Sequence, residues 1–137
     1  MSYLLDTNIL SATRKHTRNP GVTEWISTVP VDRLYLSVLA MGEITHGITR
    51  LLERGNHRQA AVFEGWLDDV IEEFDERILP VTLTIARTWG ARSGAHPPPT
   101  VDALIAATAK AHDRTLVTRN TKDFDHTGVR LSNPFTG

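Results

Sequence analysis

Short apolar runs alternate with longer amphipathic stretches along this chain, and that alternation restricts the fold more than any other feature. Tyr3-Leu4-Leu5, Leu34-Tyr35-Leu36, Ile78-Leu79-Pro80-Val81 and Thr115-Leu116-Val117 read as buried strands, with Val129-Arg130-Leu131 a candidate fifth. Helical patterns fill the gaps. A short helix runs from Ile9, and another passes through Trp25 and Ile26 after the turn chemistry of Asn19-Pro20-Gly21. Ser37 is a natural N-cap for a long helix whose apolar positions are Val38, Met41, Ile44, Ile48 and Leu51. Gly55-Asn56 breaks it, and the next helix runs from about His57 to Asp75 with an inner stripe of Ala60, Phe63, Leu67, Val70, Ile71 and Phe74. Thr82 caps a helix carrying Ile85, Ala86 and Trp89, and Pro97-Pro98-Pro99 precedes an alanine-rich helix from near Thr100 to Asp113. Pro80 suits an edge strand or a strand end. Such a pattern predicts an α/β fold, a short and mainly parallel sheet with helices on both faces. In sheets of this kind ligands bind beyond the carboxyl ends of the strands.

The 137 residues hold no repeat, low-complexity tract or linker, so a single domain over residues 1–137 is expected. No cysteine is present, which excludes disulfides, thiolate zinc sites and cysteine nucleophiles and fits a cytoplasmic location. The apolar patch at Tyr3-Leu4-Leu5 is too short for a signal peptide, and no stretch approaches the ~20 apolar residues of a membrane span. A net charge of −1 argues against indiscriminate nucleic-acid binding but leaves room for a local basic surface. Arg14, Lys15 and Arg18 form one cluster and Arg50, Arg54 and Arg58 another; the plain reading of each is a solvated surface.

Four acids stand where they could face a common pocket. Asp6 directly follows the first strand, although an aspartate there is often only a turn former or helix cap. Thr7 and Asn8 beside it could brace the carboxylate or hold a metal-bound water. Glu43 shares a helix face with Leu39, His46, Gly47 and Arg50, and a surface pair with Arg50 is the bland alternative. Gly47 costs about 1 kcal/mol in a helix interior, which makes sense if a backbone or a substrate approaches that face. Asp102 lies in the first turn of its helix, where the macrodipole favours negative charge, yet Ile105, Ala106 and Ala109 turn that same face inward. Asp123 ends the loop after the fourth strand, with Thr118 and Asn120 adding oxygens and Asp125 a rival for its role. Converging carboxylates are costly unless a cation neutralises them, and oxygen ligands suit Mg²⁺ or Mn²⁺. Other polar groups carry less. Asp68, Asp69, Glu72, Glu73, Asp75 and Glu76 form the solvated side of an amphipathic helix; the six histidines lack metal-ligand spacing, with His46 notable only for its distance of one turn from Glu43. Trp25, Trp66 and Trp89 read as core or interface anchors.

The ordered set resembles the PIN-domain ribonucleases, and within them the VapC toxins of type II toxin–antitoxin pairs. The matching segments are Leu4-Leu5-Asp6-Thr7-Asn8-Ile9-Leu10, Leu36-Ser37-Val38 through Glu43, Asp102-Ala103-Leu104-Ile105-Ala106-Ala107-Thr108-Ala109, and Leu116-Val117-Thr118-Arg119-Asn120 through Asp123-Phe124. The resemblance implies a PIN-like α/β/α sandwich and Mg²⁺ or Mn²⁺ held by Asp6, Glu43, Asp102 and Asp123, with Thr7, Asn8, Thr118 and Asn120 in support. It implies metal-dependent endonuclease cleavage of structured cellular RNA, transfer or ribosomal, leaving 5′-phosphate and 3′-hydroxyl ends. It further implies a homodimer, silenced by a cognate VapB-type antitoxin in a heterotetramer or larger assembly, away from any membrane.

Three other readings fare worse. A haloacid dehalogenase-like phosphatase wants Asp-x-Asp after its first strand, and Asp6-Thr7-Asn8 lacks the second carboxylate. A non-catalytic PIN-fold module binding RNA or protein would be favoured by loss of acidic positions, and none is lost. A nucleotide switch lacks the GxxxxGK[ST] loop.

Overall fold

A computed structural model of the chain describes residues 1–14, 19–91, 99–124 and 127–136. Five parallel strands form one sheet in the order β3-β2-β1-β4-β5, comprising β1 (Tyr3–Leu5), β2 (Leu34–Ser37), β3 (Ile78–Leu79), β4 (Thr115–Val117) and β5 (Leu131–Ser132). The sheet is parallel throughout rather than mainly so. β1 is central, with Leu5 opposite Leu36 on one side and Val117 on the other.

Alternation along these short strands sorts the core into two layers. Leu5, Leu36 and Val117 pack with α1 (Thr7–Ala12), α2 (Pro20–Thr28), α3 (Val38–Glu53) and α4 (His57–Phe74) through Ile9, Val22, Ile44, Ile48, Leu67 and Phe74. Leu4 and Leu116 point the other way, onto Ile105, Ala106 and Ala109 of α6 (Thr100–Ala111), beside which α5 (Leu83–Gly90) packs. Helices on both faces of the sheet make an α/β/α sandwich.

Two of the caps read in the sequence hold: Ser37 and Thr82 accept backbone N–H groups at the starts of α3 and α5. Asn56, read only as part of a break, also accepts one at the start of α4. Four details differ from expectation. The first helix begins at Thr7 rather than Ile9, because Asp6 is its cap. β5 lies later, at Leu131–Ser132, where pairing with Leu116 and Val117 sets its register. Val38 and Ile71, expected inside, are exposed. Both sit at the open end of the antiparallel α3–α4 hairpin, where an apolar stripe has cover on one side only. Among the tryptophans, Trp25 meets Tyr3 edge-to-face and Trp66 is partly buried, whereas Trp89 is exposed on α5. The six acids predicted to be solvated from Asp68 to Glu76 are all exposed.

Candidate metal centre at the carboxyl edge of the sheet

Asp6 is the most firmly placed of the four acids. Its N–H donates to Val117 O at 3.0 Å, extending the β1–β4 ladder, and its carbonyl accepts from Leu10 N–H at 3.0 Å. Oδ1 accepts from Ile9 N–H at 2.8 Å and so caps α1. The carboxylate also takes a hydrogen bond from the hydroxyl of Thr118, which is fully buried just beyond β4. Thr118 Oγ1 in turn accepts Asn120 N–H at 3.1 Å, tying the Asp6 carboxylate to the loop that leads to Asp123. Burial pushes the Asp6 carboxyl above its ordinary 3.8; the hydrogen bonds from Thr118 and Ile9 oppose this, and the charge of Glu43 adds to it.

Glu43 is exposed on α3, and its Oε1 accepts the hydroxyl of Thr7 from the start of α1. Thr7 therefore braces Glu43 rather than Asp6, a link across 36 residues that no local pattern signals. The bland alternative for Glu43 does not hold: among the described residues neither Glu43 nor Arg50 joins an ion pair. Among the described residues no atom lies within 4 Å of where a Cβ of Gly47 would stand, and Gly47 is exposed.

Asp102 is half-buried in the first turn of α6. Burial raises its carboxyl first, and the charges of Glu43, Asp6 and Asp123 raise it further. Asp123 is exposed at the end of a 3-10 turn, Thr121–Asp123, whose N–H reaches Asn120 O at 3.1 Å. Asn8 and Asn120 are also exposed. Asp125, the rival to Asp123, lies outside the described residues.

The structure thus brings four predicted acids into one electrostatic neighbourhood from four separate segments. Among the described residues every charge that shifts Asp102 is negative: those of Glu43, Asp6 and Asp123. Among the described residues no three acidic or histidine side chains are drawn together tightly enough to form a closed ligand set. An open, all-oxygen site of this kind fits Mg²⁺ or Mn²⁺ chemistry, since Mg²⁺ keeps several of its waters and takes only one or two carboxylates directly. The hydroxyls of Thr7 and Thr118 add oxygens beside Glu43 and Asp6.

A family model for the PIN domain matches residues 3–129. The chain belongs to the PIN-domain family, in the branch of the VapC toxins. It is 31% identical to the plasmid stability protein StbB of Pseudomonas syringae pv. tomato, over 96% of this chain and 97% of that one. It is 30% identical to the VapC ribonuclease Y4jK of Sinorhizobium fredii, over 96% of each. The crystal structure of FitAcB from Neisseria gonorrhoeae superposes with a TM-score of 0.86 at 30% identity, covering 97% of this chain and 98% of that one.

Proposed function

We propose that this chain is a metal-dependent endoribonuclease toxin that hydrolyses phosphodiester bonds in structured cellular RNA and is held inactive by a VapB-type antitoxin. The observation that carries the reading is the meeting of Asp6, Glu43, Asp102 and Asp123 with no compensating cation among the described residues. A purely structural site would pair such charges or replace them, because uncompensated carboxylates destabilise a fold. The name of the Sinorhizobium relative, VapC ribonuclease, supports the activity.

Each residue has a defined part in this proposal. Asp6, fixed by the sheet and by its cap on α1, is the rigid anchor of the metal centre. Asp102 faces it from α6 as the second ligand, and Glu43, oriented by Thr7, holds a metal-bound water or binds directly. Asp123 at the exposed rim completes the acidic set and, with Asn120 and Asn8, orients water toward the scissile phosphate. Thr118 keeps the Asp6 carboxylate ionised and aimed. When bound, Mg²⁺ or Mn²⁺ lowers the pKa of a water and stabilises charge on the leaving 3′ oxygen. No protein nucleophile is required, and the products carry 5′-phosphate and 3′-hydroxyl ends. Transfer or ribosomal RNA is the proposed target class.

The test incubates antitoxin-free protein with total cellular RNA and Mg²⁺ or Mn²⁺, beside chelator and Asp6→Asn controls, and maps the new ends by sequencing. Discrete 5′-phosphate ends that disappear in both controls are expected. Identical cleavage in the Asp6→Asn control would overturn the metal-site assignment, and no cleavage by folded, metal-binding protein would overturn the nuclease reading.

A further inference from the structure

The α3–α4 hairpin carries its charge in an order that its own helices do not favour. Residues 44–63 hold three arginines and one acid, Glu53, whereas residues 64–76 hold seven acids and no lysine or arginine. For α4 this is the reverse of what a helix dipole rewards, with no acid in its first turn and no base in its last. Arg50 and Arg54, near the C-terminus of α3, are explained by the dipole. Arg58, in the first turn of α4, is not. A cation retained against the local field points to an outside anion, since departures from local rules concentrate at functional sites.

Two further observations give that anion a place. Arg58 and Arg14 line the same open hollow of about 380 Å³, with Asn56, Gln59 and Val62. The Arg14 guanidinium is held there by stacking, 3.6 Å from the centre of the Phe63 ring and 5.5 Å from that of Trp66. The hollow therefore presents two guanidinium groups, one of them held in place by aromatic stacking. One face of α3 runs from Glu43 to the turn before Asn56, which lines the hollow. Glu43, Gly47, Arg50 and Arg54 follow one another at i, i+4, i+7 and i+11, so they share one exposed face of α3. At ~1.5 Å per residue, Arg50 lies about 10 Å and Arg54 about 16 Å along the helix from Glu43. Neither guanidinium has a hydrogen bond or ion pair among the described residues, and none of those residues comes within 4 Å of where a Cβ of Gly47 would stand.

We propose that this face of α3, together with the hollow at the start of α4, is the track that grips the RNA backbone and leads it to the carboxylates. Arg50 and Arg54 contact successive phosphates, Gly47 lets the strand lie close to the helix, and Arg58 with Arg14 seats a phosphate in the hollow. The proposal deepens the ribonuclease reading and rests on it. A net charge of −1 is compatible with such a track, because Arg50, Arg54 and Arg58 form a local run of cations within an otherwise balanced chain.

The test is a triple variant, Arg50→Gln, Arg54→Gln and Arg58→Gln, with a triple lysine variant at the same positions as a charge-preserving control. Arg14 is left intact because its stacking on Phe63 ties it to packing. Binding of a labelled mixed-sequence oligoribonucleotide is measured by fluorescence anisotropy in chelator across a salt series, and cleavage of bulk transfer RNA is followed separately with metal. The glutamine variant, with an unfolding midpoint matching the parent, is expected to bind RNA about tenfold more weakly or worse, with the slope of log K against log salt reduced by about 2. Its KM for RNA should rise by a similar factor while kcat stays within about twofold, and the lysine variant should recover most of the affinity. Parent-like binding and salt slope in the glutamine variant would overturn the proposal. Unchanged RNA binding with weakened binding of the cognate antitoxin would overturn it too, assigning the surface to a protein partner. Arginine-dependent RNA binding by a parent that never cuts RNA would sink the nuclease reading and leave the track standing.

Discussion

The two ends of the same sheet treat charge in opposite ways. At the amino edge of the strands, the guanidinium groups have partners. Arg114 lies 3.6 Å over the Tyr35 ring and donates to Ser2 Oγ at 2.6 Å, and Arg130 is bound to both the side chain and the carbonyl of Asp113. Arg77 donates to the carbonyls of Val31, Leu34 and Glu73, closing the turns beneath β2 and β3. At the carboxyl edge, four like charges face one another with hydroxyls and amide N–H groups for company. One end is arranged for stability. The other gives up stability, and the natural reason is a cation and a substrate that arrive from outside.

The sharpest way to break this contrast is at Asp6. Asp6→Asn is expected to lower single-turnover RNA cleavage by about a thousandfold or more, because a metal ligand is lost. The cap on α1 survives, since asparagine caps as well as aspartate, so circular dichroism should be unchanged. Near-parent cleavage would erase the distinction between the two edges. Next in size is the response to metal. Excess Mg²⁺ or Mn²⁺ should stabilise the parent by about 2.7 kcal/mol at roughly a hundredfold above Kd, seen as a higher Tm. Asp102→Asn should lose most of that rise, and an equal rise in both proteins would place the metal elsewhere. At the opposite edge, Arg114→Ala should cost about 2 kcal/mol of stability through the lost stacking and hydrogen bond, with kcat unchanged. Urea denaturation beside a cleavage assay checks both halves; a fall in kcat would show that the edges are not independent.

The smallest effect concerns pH. The carboxyls of Asp6 and Asp102 are raised above 3.8 in the folded chain, so ionisation opposes folding. Without metal, this penalty is fully present above the raised folded values, shrinks as pH falls through them, and is gone below 3.8. Asp102→Asn should therefore melt slightly higher than the parent at neutral pH in chelator, the difference closing toward acid pH. A variant that melts lower than the parent at neutral pH would show Asp102 to be a structural partner instead.

The helices and strands of this chain were legible because each announces itself locally. Ser37 and Thr82 sit where caps belong, and the apolar stripes of α3 and α4 keep a helical period. The same local reasoning failed where cover ran out, at Val38 and Ile71, and where pairing set the register, at β5. It also assigned Thr7 and Asn8 to Asp6 by adjacency, when Thr7 in fact serves Glu43. Asp6, Glu43, Asp102 and Asp123 were visible as acids near strand ends or helix starts. Their mutual influence was not, because nothing in a period of two or of 3.6 reports the distance between segments.

The sequence by itself determined the elements and the residue types offered at their ends: short buried strands, capped helices, and an acid or hydroxyl at the strand exits. Only the tertiary structure decided that these ends meet. The strand order β3-β2-β1-β4-β5 sets β1 between β2 and β4, so that Asp6 lies between the start of α3 and the loop after Thr118. That order follows from how helices cross over and pack on the two faces of the sheet, a property of the folded whole. Charge patterning shows the same division: the sequence set Glu43, Arg50 and Arg54 at helical spacing, and the fold brought Arg14 and Arg58 to one hollow.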